Sequence, residues 1–229
     1  MLNLSEIFYS LQGEGPYCGT PAIFVRLSGC NLRCQWGSSI CDTPYTSWKP
    51  ETSLVQIEEI VSQVQSAHAR CKTVIITGGE PTLQGGLEDL CEALKVGNYS
   101  IHLETNGTRA IPPHCDVVIC SPKLKDSTPS GKYAALHQRE RQLWAGLRSL
   151  PKANLYLKFV IGENPAIEEI QEIVASLQSP PDKVYLMPEG TCRKQVLERG
   201  PRVAELAKSL GYRFSTRMHI LLWDQARGV

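Results

Sequence analysis

Pro21-Ala22-Ile23-Phe24-Val25-Arg26-Leu27 leads through Ser28 into Gly29-Cys30-Asn31-Leu32-Arg33-Cys34-Gln35-Trp36-Gly37-Ser38-Ser39-Ile40-Cys41-Asp42-Thr43. The first run is apolar and short, so it reads as a buried strand. Three thiols then stand on one loop beyond its carboxyl end, and in α/β sheets ligands bind at that edge. Thiolates suit a soft metal, zinc or an iron–sulfur cluster. Three protein ligands would leave one metal position open. The rival reading is three reduced cysteines packed as small hydrophobes, and spacing alone does not choose between the two.

Outward from this loop, strand and helix signals alternate. Apolar positions 54, 57, 60, 61 and 64 recur at helical spacing behind Thr52-Ser53. A strand over 73–77 ends in Gly78-Gly79-Glu80-Pro81, and a helix follows with Leu87, Leu90, Cys91 and Leu94 on one face. Strands over 99–103 and 116–120 end in Glu104-Thr105-Asn106-Gly107 and Ser121-Pro122-Lys123. Residues 123–131 read as a polar loop, 134–149 as a helix, 154–160 as a strand and 165–178 as a helix. A strand over 183–187, a helix over 193–210 stopped by Gly211 and a strand over 212–216 complete the chain. The strand at 21–27 is taken as the first. This alternation predicts an α/β fold, a parallel-stranded partial barrel with helices outside. No repeat or linker interrupts it, so residues 1–229 are expected to form one domain.

Composition narrows the function. A net charge of +1 and no basic run give no electrostatic case for nucleic acid or an anionic membrane. No apolar run reaches membrane-spanning length, and the first residues lack a basic region followed by an apolar one, so a cytoplasmic protein is expected. Nine cysteines, an odd number without a targeting signal, are expected to be mostly free thiols. Cys18, Cys71, Cys91, Cys115, Cys120 and Cys192 stand singly and read as structural, with Cys18 a spare ligand. The five histidines share no spacing and are left out of the mechanism; the tryptophans read as packing.

Four polar motifs follow strands directly, and in a parallel barrel such loops share one rim. Gly78-Gly79 permits close backbone approach, and Glu80 offers a carboxylate to an ammonium group; by itself the motif also reads as a plain turn. Its glycine spacing fits neither a dinucleotide fingerprint nor a phosphate loop. Arg26 in an apolar strand reads as a structural ion-pair partner, for example of Glu104.

A cysteine trio after the first strand, followed by Gly-Gly-Glu-Pro after another, resembles the radical S-adenosylmethionine superfamily. The resemblance implies a 4Fe–4S cluster whose open iron chelates S-adenosylmethionine. Glu6 to Gly15, Gly19 to Leu27, Cys41-Asp42-Thr43, Thr77 to Pro81, Glu104 to Gly107, Ser121-Pro122-Lys123, His219 to Trp223 and Arg227-Gly228-Val229 are similar to the 7-carboxy-7-deazaguanine synthase family. That resemblance implies ring contraction of 6-carboxy-5,6,7,8-tetrahydropterin to 7-carboxy-7-deazaguanine with loss of ammonia, on the way to queuosine. Cys30, Cys34 and Cys41 would hold the cluster. Ile40, Gly79, Glu80, Ser121, Pro122, Lys123, Met187, Pro188 and Glu189 would contact S-adenosylmethionine, and Leu11, Gln12, Gly13, Arg26 and Thr77 the pterin. Thr43 would ligate Mg²⁺. The resemblance further implies a homodimer and an electron donor such as flavodoxin or ferredoxin. Another small radical enzyme, such as a glycyl-radical activating enzyme, and a non-catalytic metal-binding module are the alternatives.

One departure stands out. The superfamily's common loop is C-x3-C-x2-C, whereas this one is C-x3-C-x6-C, as if Gly37-Ser38-Ser39-Ile40 were inserted. The insert is expected to bulge outward and return Cys41 to the cluster, with Ile40 standing where the common loop has an aromatic.

Overall fold

The computed structural model describes residues 1–144, 147–148, 150–151 and 154–229. Its main sheet is built from β1 (Leu2–Leu11), β2 (Pro21–Leu27), β5 (Ser53–Val55), β6 (Thr73–Gly78), β7 (Ser100–Thr105), β8 (Val117–Cys120), β9 (Leu155–Ile161), β10 (Val184–Pro188) and β11 (Arg213–Phe214). Strand order is β11-β10-β9-β8-β7-β6-β2-β1-β5. Every pair from β2 to β11 is parallel, while β1 runs antiparallel to β2 and β5. The edge strands β5 and β11 do not pair with each other, so the barrel is partial, with the helices outside as expected.

Side-chain alternation explains both faces. Ile23, Val25 and Leu27 of β2, Val74 and Ile76 of β6, and Ile101 and Leu103 of β7 pack under the outer helices α2 (Ile57–Ala67) and α3 (Leu87–Val96). Leu155, Leu157, Phe159 and Ile161 of β9 and Leu186 of β10 do the same under α5 (Ile167–Ser176) and α6 (Arg193–Leu210). The alternate residues point inward. Among them Phe8 stacks on Phe24 at 5.0 Å, and His102 and Tyr156 meet Tyr17, which lies on the turn after β1. Burying each large apolar side chain contributes about 2 kcal/mol.

β1 corrects the expectation that 21–27 comes first. Leu2 and Leu4 face the helices, but the register slips between Leu4 and Glu6, and from there Glu6, Phe8 and Ser10 face inward. A bulge that flips the side-chain phase erases a clean two-residue period, which hid the strand.

The expected helix behind Thr52 starts later. Ser53–Val55 instead pairs with Leu2–Leu4 as an edge strand, and Leu54 is exposed. The helix expected over 134–149 forms as α4, Ala134–Glu140. Positions 145, 146 and 149 of that expectation lie outside the described residues. The last strand shortens to β11, and α7 (Met218–Trp223) follows it.

Candidate active site

The cysteine loop folds back on itself. Gln35–Trp36 (β3) and Ser39–Ile40 (β4) pair antiparallel around Gly37-Ser38, and the Cys41 N–H donates to the Cys34 carbonyl at 3.0 Å. The four extra residues therefore supply the turn and return strand of a hairpin that brings Cys41 back beside Cys34. Cys30, Cys34 and Cys41 all line one chamber of about 470 Å³. Burial pushes the Cys30 thiol up to about 12, Cys34 well above its ordinary value and Cys41 upward, so without a metal these are protonated, poorly solvated donors. Among the described residues, no three of His, Cys, Asp and Glu are gathered as ligands of one metal ion. A cubane asks for something else, since each of its thiolate ligands binds a different iron. Three sulfurs on one wall, beside a glycine edge free of side chains, fit that group.

The rim is laced from its own loops. The Gly79 N–H donates to the Leu27 carbonyl and the Glu80 N–H to that of Gly29. A Cβ on Gly78 would stand 1.9 Å from the Leu27 oxygen and one on Gly79 2.2 Å from that of Gly29, so both positions require glycine. Asn31 accepts from the Asn106 side chain at 3.1 Å and donates to Thr108 at 2.9 Å, tying the cysteine loop to the turn after β7.

Glu80 corrects an expectation. Its side chain does not reach the chamber wall. One oxygen accepts from the Thr82 N–H and hydroxyl and from Thr105 Oγ1 (2.7 Å), the other from the Asn106 N–H (2.6 Å). These bonds let the carboxylate brace the rim from behind, and Oε2, with the Asn106 N–H as its one donor here, keeps an acceptor site. Pro122 and Pro188 are likewise off the wall, whereas Ile40, Gly79, Ser121, Lys123, Met187 and Glu189 are on it. Lys123 Nζ donates to Ser121 Oγ at 2.6 Å, and Glu189 is paired with Arg199.

Leu11, Gln12, Gly13, Arg26, Thr77 and Thr43 all line the same space. Arg26 pairs with Glu6 at 2.8 Å, its cross-strand neighbour in the β1–β2 register, and not with Glu104. Glu104 instead accepts from Gln12 Nε2 at 3.0 Å and from Thr77 Oγ1 at 2.8 Å. Thr43 Oγ1 stands 3.5 Å from Cys41 Sγ. Cys18 is no spare ligand: it is off the wall, with Sγ against Met218 Sδ.

A charged layer spans the open side of the barrel. Glu14 bonds Lys158 of β9 and Arg217 Nε (2.9 Å), and Arg217 also grips Asp42 beside Cys41. Burial alone would push the Glu14 carboxyl up, but Lys158, Arg217 and His219 pull it well below its ordinary value. Burial likewise opposes Asp42, yet Arg217 holds it down at about 2. Lys158 is raised by Glu14 and Glu104 against its burial. The layer is thus fully ionised. Sequence reasoning missed Lys158, Arg217 and His219, although a lysine inside the apolar run 154–160 was a signal of the same kind as Arg26. His219 and Trp36, neither of which was expected at the site, also line the chamber. So do Asp224 and residues 225–229, with Arg227 stacked on Tyr45 at 3.5 Å.

A three-cysteine loop on the carboxyl rim of a partial parallel barrel is the arrangement of the radical S-adenosylmethionine enzymes, and the radical SAM superfamily model matches residues 24–117. The 7-carboxy-7-deazaguanine synthase of Halobacterium salinarum is 39% identical, covering 98% of this chain and 91% of that protein. That of Rhodopirellula baltica is 38% identical, over 99% and 88%. A crystal structure of QueE from Escherichia coli superposes with a TM-score of 0.67 at 26% identity, covering 95% of this chain and 94% of that one. The chain belongs to the 7-carboxy-7-deazaguanine synthase family. No helix among the described residues is long and apolar enough to cross a membrane.

Proposed function

We propose that this chain is the radical lyase its relatives are named for. It converts 6-carboxy-5,6,7,8-tetrahydropterin to 7-carboxy-7-deazaguanine with loss of ammonia, a step toward queuosine. The observation that carries the reading is one chamber walled by Cys30, Cys34 and Cys41, by Gly79, Ser121 and Lys123, and by Gln12, Arg26 and Thr77. When bound, the 4Fe–4S cluster and S-adenosylmethionine would supply one-electron chemistry for hydrogen transfer at the substrate.

The chain's own residues do the rest. Cys30, Cys34 and Cys41 hold the cluster. The Gly79 edge, Ser121 and Lys123 receive the amino acid end of S-adenosylmethionine, with Ile40, Met187 and Glu189 beside its nucleoside. Glu80 contributes by holding Gly79 and Asn106 in place, and Pro122 and Pro188 by ending their strands. Arg26 meets the substrate carboxylate, having guanidinium nitrogens beyond the one that Glu6 takes. Gln12, Thr77 and the Leu11-Gly13 backbone present polar groups to the pterin edge. Glu104 sits between Gln12 and Thr77 as an anionic acceptor for ring N–H groups. Thr43 offers an oxygen to Mg²⁺, which keeps most of its waters and shares substrate oxygens. Residues 1–229 act as one unit, in the cytoplasm, as a homodimer, with flavodoxin or ferredoxin as reductant.

The test is anaerobic turnover of the reconstituted protein with the carboxylated tetrahydropterin, S-adenosylmethionine, Mg²⁺ and dithionite. Formation of 7-carboxy-7-deazaguanine is expected, and Cys41→Ala loses both cluster and product. A protein that cleaves S-adenosylmethionine yet leaves the pterin intact would be another radical enzyme; one that cleaves nothing would be a metal-binding module.

A further inference from the structure

Cys30 faces two ways. It lines the large chamber, and it also lines a second groove of about 230 Å³ on the outside of the cysteine loop. Among the described residues it is the one that borders both. The second groove holds no part of the pterin or S-adenosylmethionine walls; its other boundaries include Arg33, Arg109, Tyr133, Leu136 and Glu140.

The surroundings of this groove are cationic. Arg33 is locked across the loop by bonds to the Cys30 and Leu32 carbonyls at 2.7 and 2.9 Å, with its guanidinium 5.5 Å from the Tyr133 ring. Lys132 approaches the same ring. Arg109 and Arg139 both pair with Glu140, whose carboxylate is nearly buried while Arg139 remains 70% exposed. Arg33 and Arg109 thus line the groove with the carboxylate of Glu140, and Lys132 and Arg139 flank it through Tyr133 and Glu140. Leu136 adds an exposed apolar tip at the groove's edge.

We propose that this groove is the docking surface for an acidic one-electron carrier protein, which delivers its electron through the Cys30 side of the cluster. The inference rests on the reading of Cys30, Cys34 and Cys41 as cluster ligands. One electron crosses per encounter: the carrier is oxidised by one, the cluster is reduced by one, and no bond is made or broken across the interface. Entry at Cys30 leaves the large chamber closed to the partner, so reduction and substrate binding use separate doors. The rim of arginines and lysine supplies the long-range attraction for an acidic partner. An apolar tip beside them suits the exposed apolar edge of a carrier's redox group. A nucleic acid is disfavoured, because the net charge is +1 and Tyr133 is already packed by Arg33, Lys132 and Trp48, leaving no open stacking platform.

The test titrates an acidic flavodoxin, at low ionic strength, into the cluster-reconstituted protein and into a Lys132→Glu/Arg139→Glu variant. Binding is read from flavin fluorescence, and S-adenosylmethionine cleavage is driven in parallel by reduced flavodoxin or by dithionite. The charge reversal should weaken binding about tenfold or more, an effect that salt removes, and slow flavodoxin-driven cleavage alone. Unchanged flavodoxin affinity overturns the proposal, as does a variant that loses affinity for transfer RNA and not for flavodoxin. If dithionite-driven cleavage also falls, the milder Lys132→Gln/Arg139→Gln variant decides: retained affinity refutes the surface and weakened affinity supports it. Absence of dithionite-driven cleavage in the unaltered protein would instead remove the cluster reading, and this surface with it.

Discussion

The backbone N–H of Cys41 donates to the carbonyl of Cys34 at 3.0 Å, so two thiols separated by six residues are cross-strand neighbours. The hairpin between them turns at Gly37, whose φ of +57° lies in the left-handed region. A β-branched residue there costs about 1–2 kcal/mol. Gly37→Val should loosen the pairing of Cys34 and Cys41, so that iron passes to a chelator several-fold faster than from the unaltered protein. Gly37→Asn, which tolerates that φ, should behave nearly as the native chain. Equal iron release from all three would mean that the hairpin does not govern cluster retention.

Glu80 makes a sharper case, because its motif invites a ligand-binding role and its bonds give it a bracing one. The carboxylate gathers four donors from residues 82, 105 and 106 while almost completely buried. Glu80→Ala should cost the cluster-free protein about 3 kcal/mol, since it orphans several buried donors. Glu80→Gln should cost less, retaining one carbonyl acceptor. Denaturant unfolding of the cluster-free chain checks this. A loss of S-adenosylmethionine affinity with no loss of stability would return Glu80 to the ligand.

What was legible in the sequence followed from uninterrupted patterns. β2, β6 and β9 are buried on both faces over most of their length, so their apolar runs stood out. The polar residues at their ends marked the rim. β1 was hidden because its bulge swaps the inward and outward faces midway. Glu14, Lys158 and Arg217 lie far apart in the chain, and the bonds that unite them arise only when residues 12–17 cross the barrel's open side. Spacing carries no record of such a meeting. Gly15 donating to Ser215 Oγ and Met218 to the Gly13 carbonyl, both at 2.8 Å, are what close that side.

That meeting is testable by itself. Lys158 and Glu14 are both buried, and Glu14 is shared with Arg217. Removing one charge strands its partner, so Lys158→Met and Glu14→Gln should each cost about 3 kcal/mol. The double variant should be more stable than the sum of the two losses predicts, by more than about 1 kcal/mol, because the pair then disappears together. Thermal unfolding of the four cluster-free proteins closes the cycle. Strict additivity would show that the two side chains do not depend on each other.

His137 supplies the pH dependence. It is 1% exposed. Its Nδ1 accepts the Arg33 N–H at 3.3 Å, and its Nε2 lies 3.2 Å from Ser127 Oγ, which itself donates to the Leu124 carbonyl. Only the neutral ring with its proton on Nε2 satisfies all three bonds. Burial, with Arg141 and Lys123 nearby, lowers its pKa to about 4. An unfolded chain takes up this proton near pH 6.5, the native chain only near pH 4. Between those values the unfolded state holds the extra proton, so stability falls as the pH is lowered and levels off below about pH 4. The slope contributed by this one residue is at most about 1.4 kcal/mol per pH unit. His102 and His219, also lowered by burial, add slopes of the same sign. The measurement is therefore a difference: cluster-free unfolding of the native chain against His137→Gln across this range. The variant should be less stable at neutral pH and should lose less on acidification; parallel curves would mean that His137 titrates freely in the folded protein.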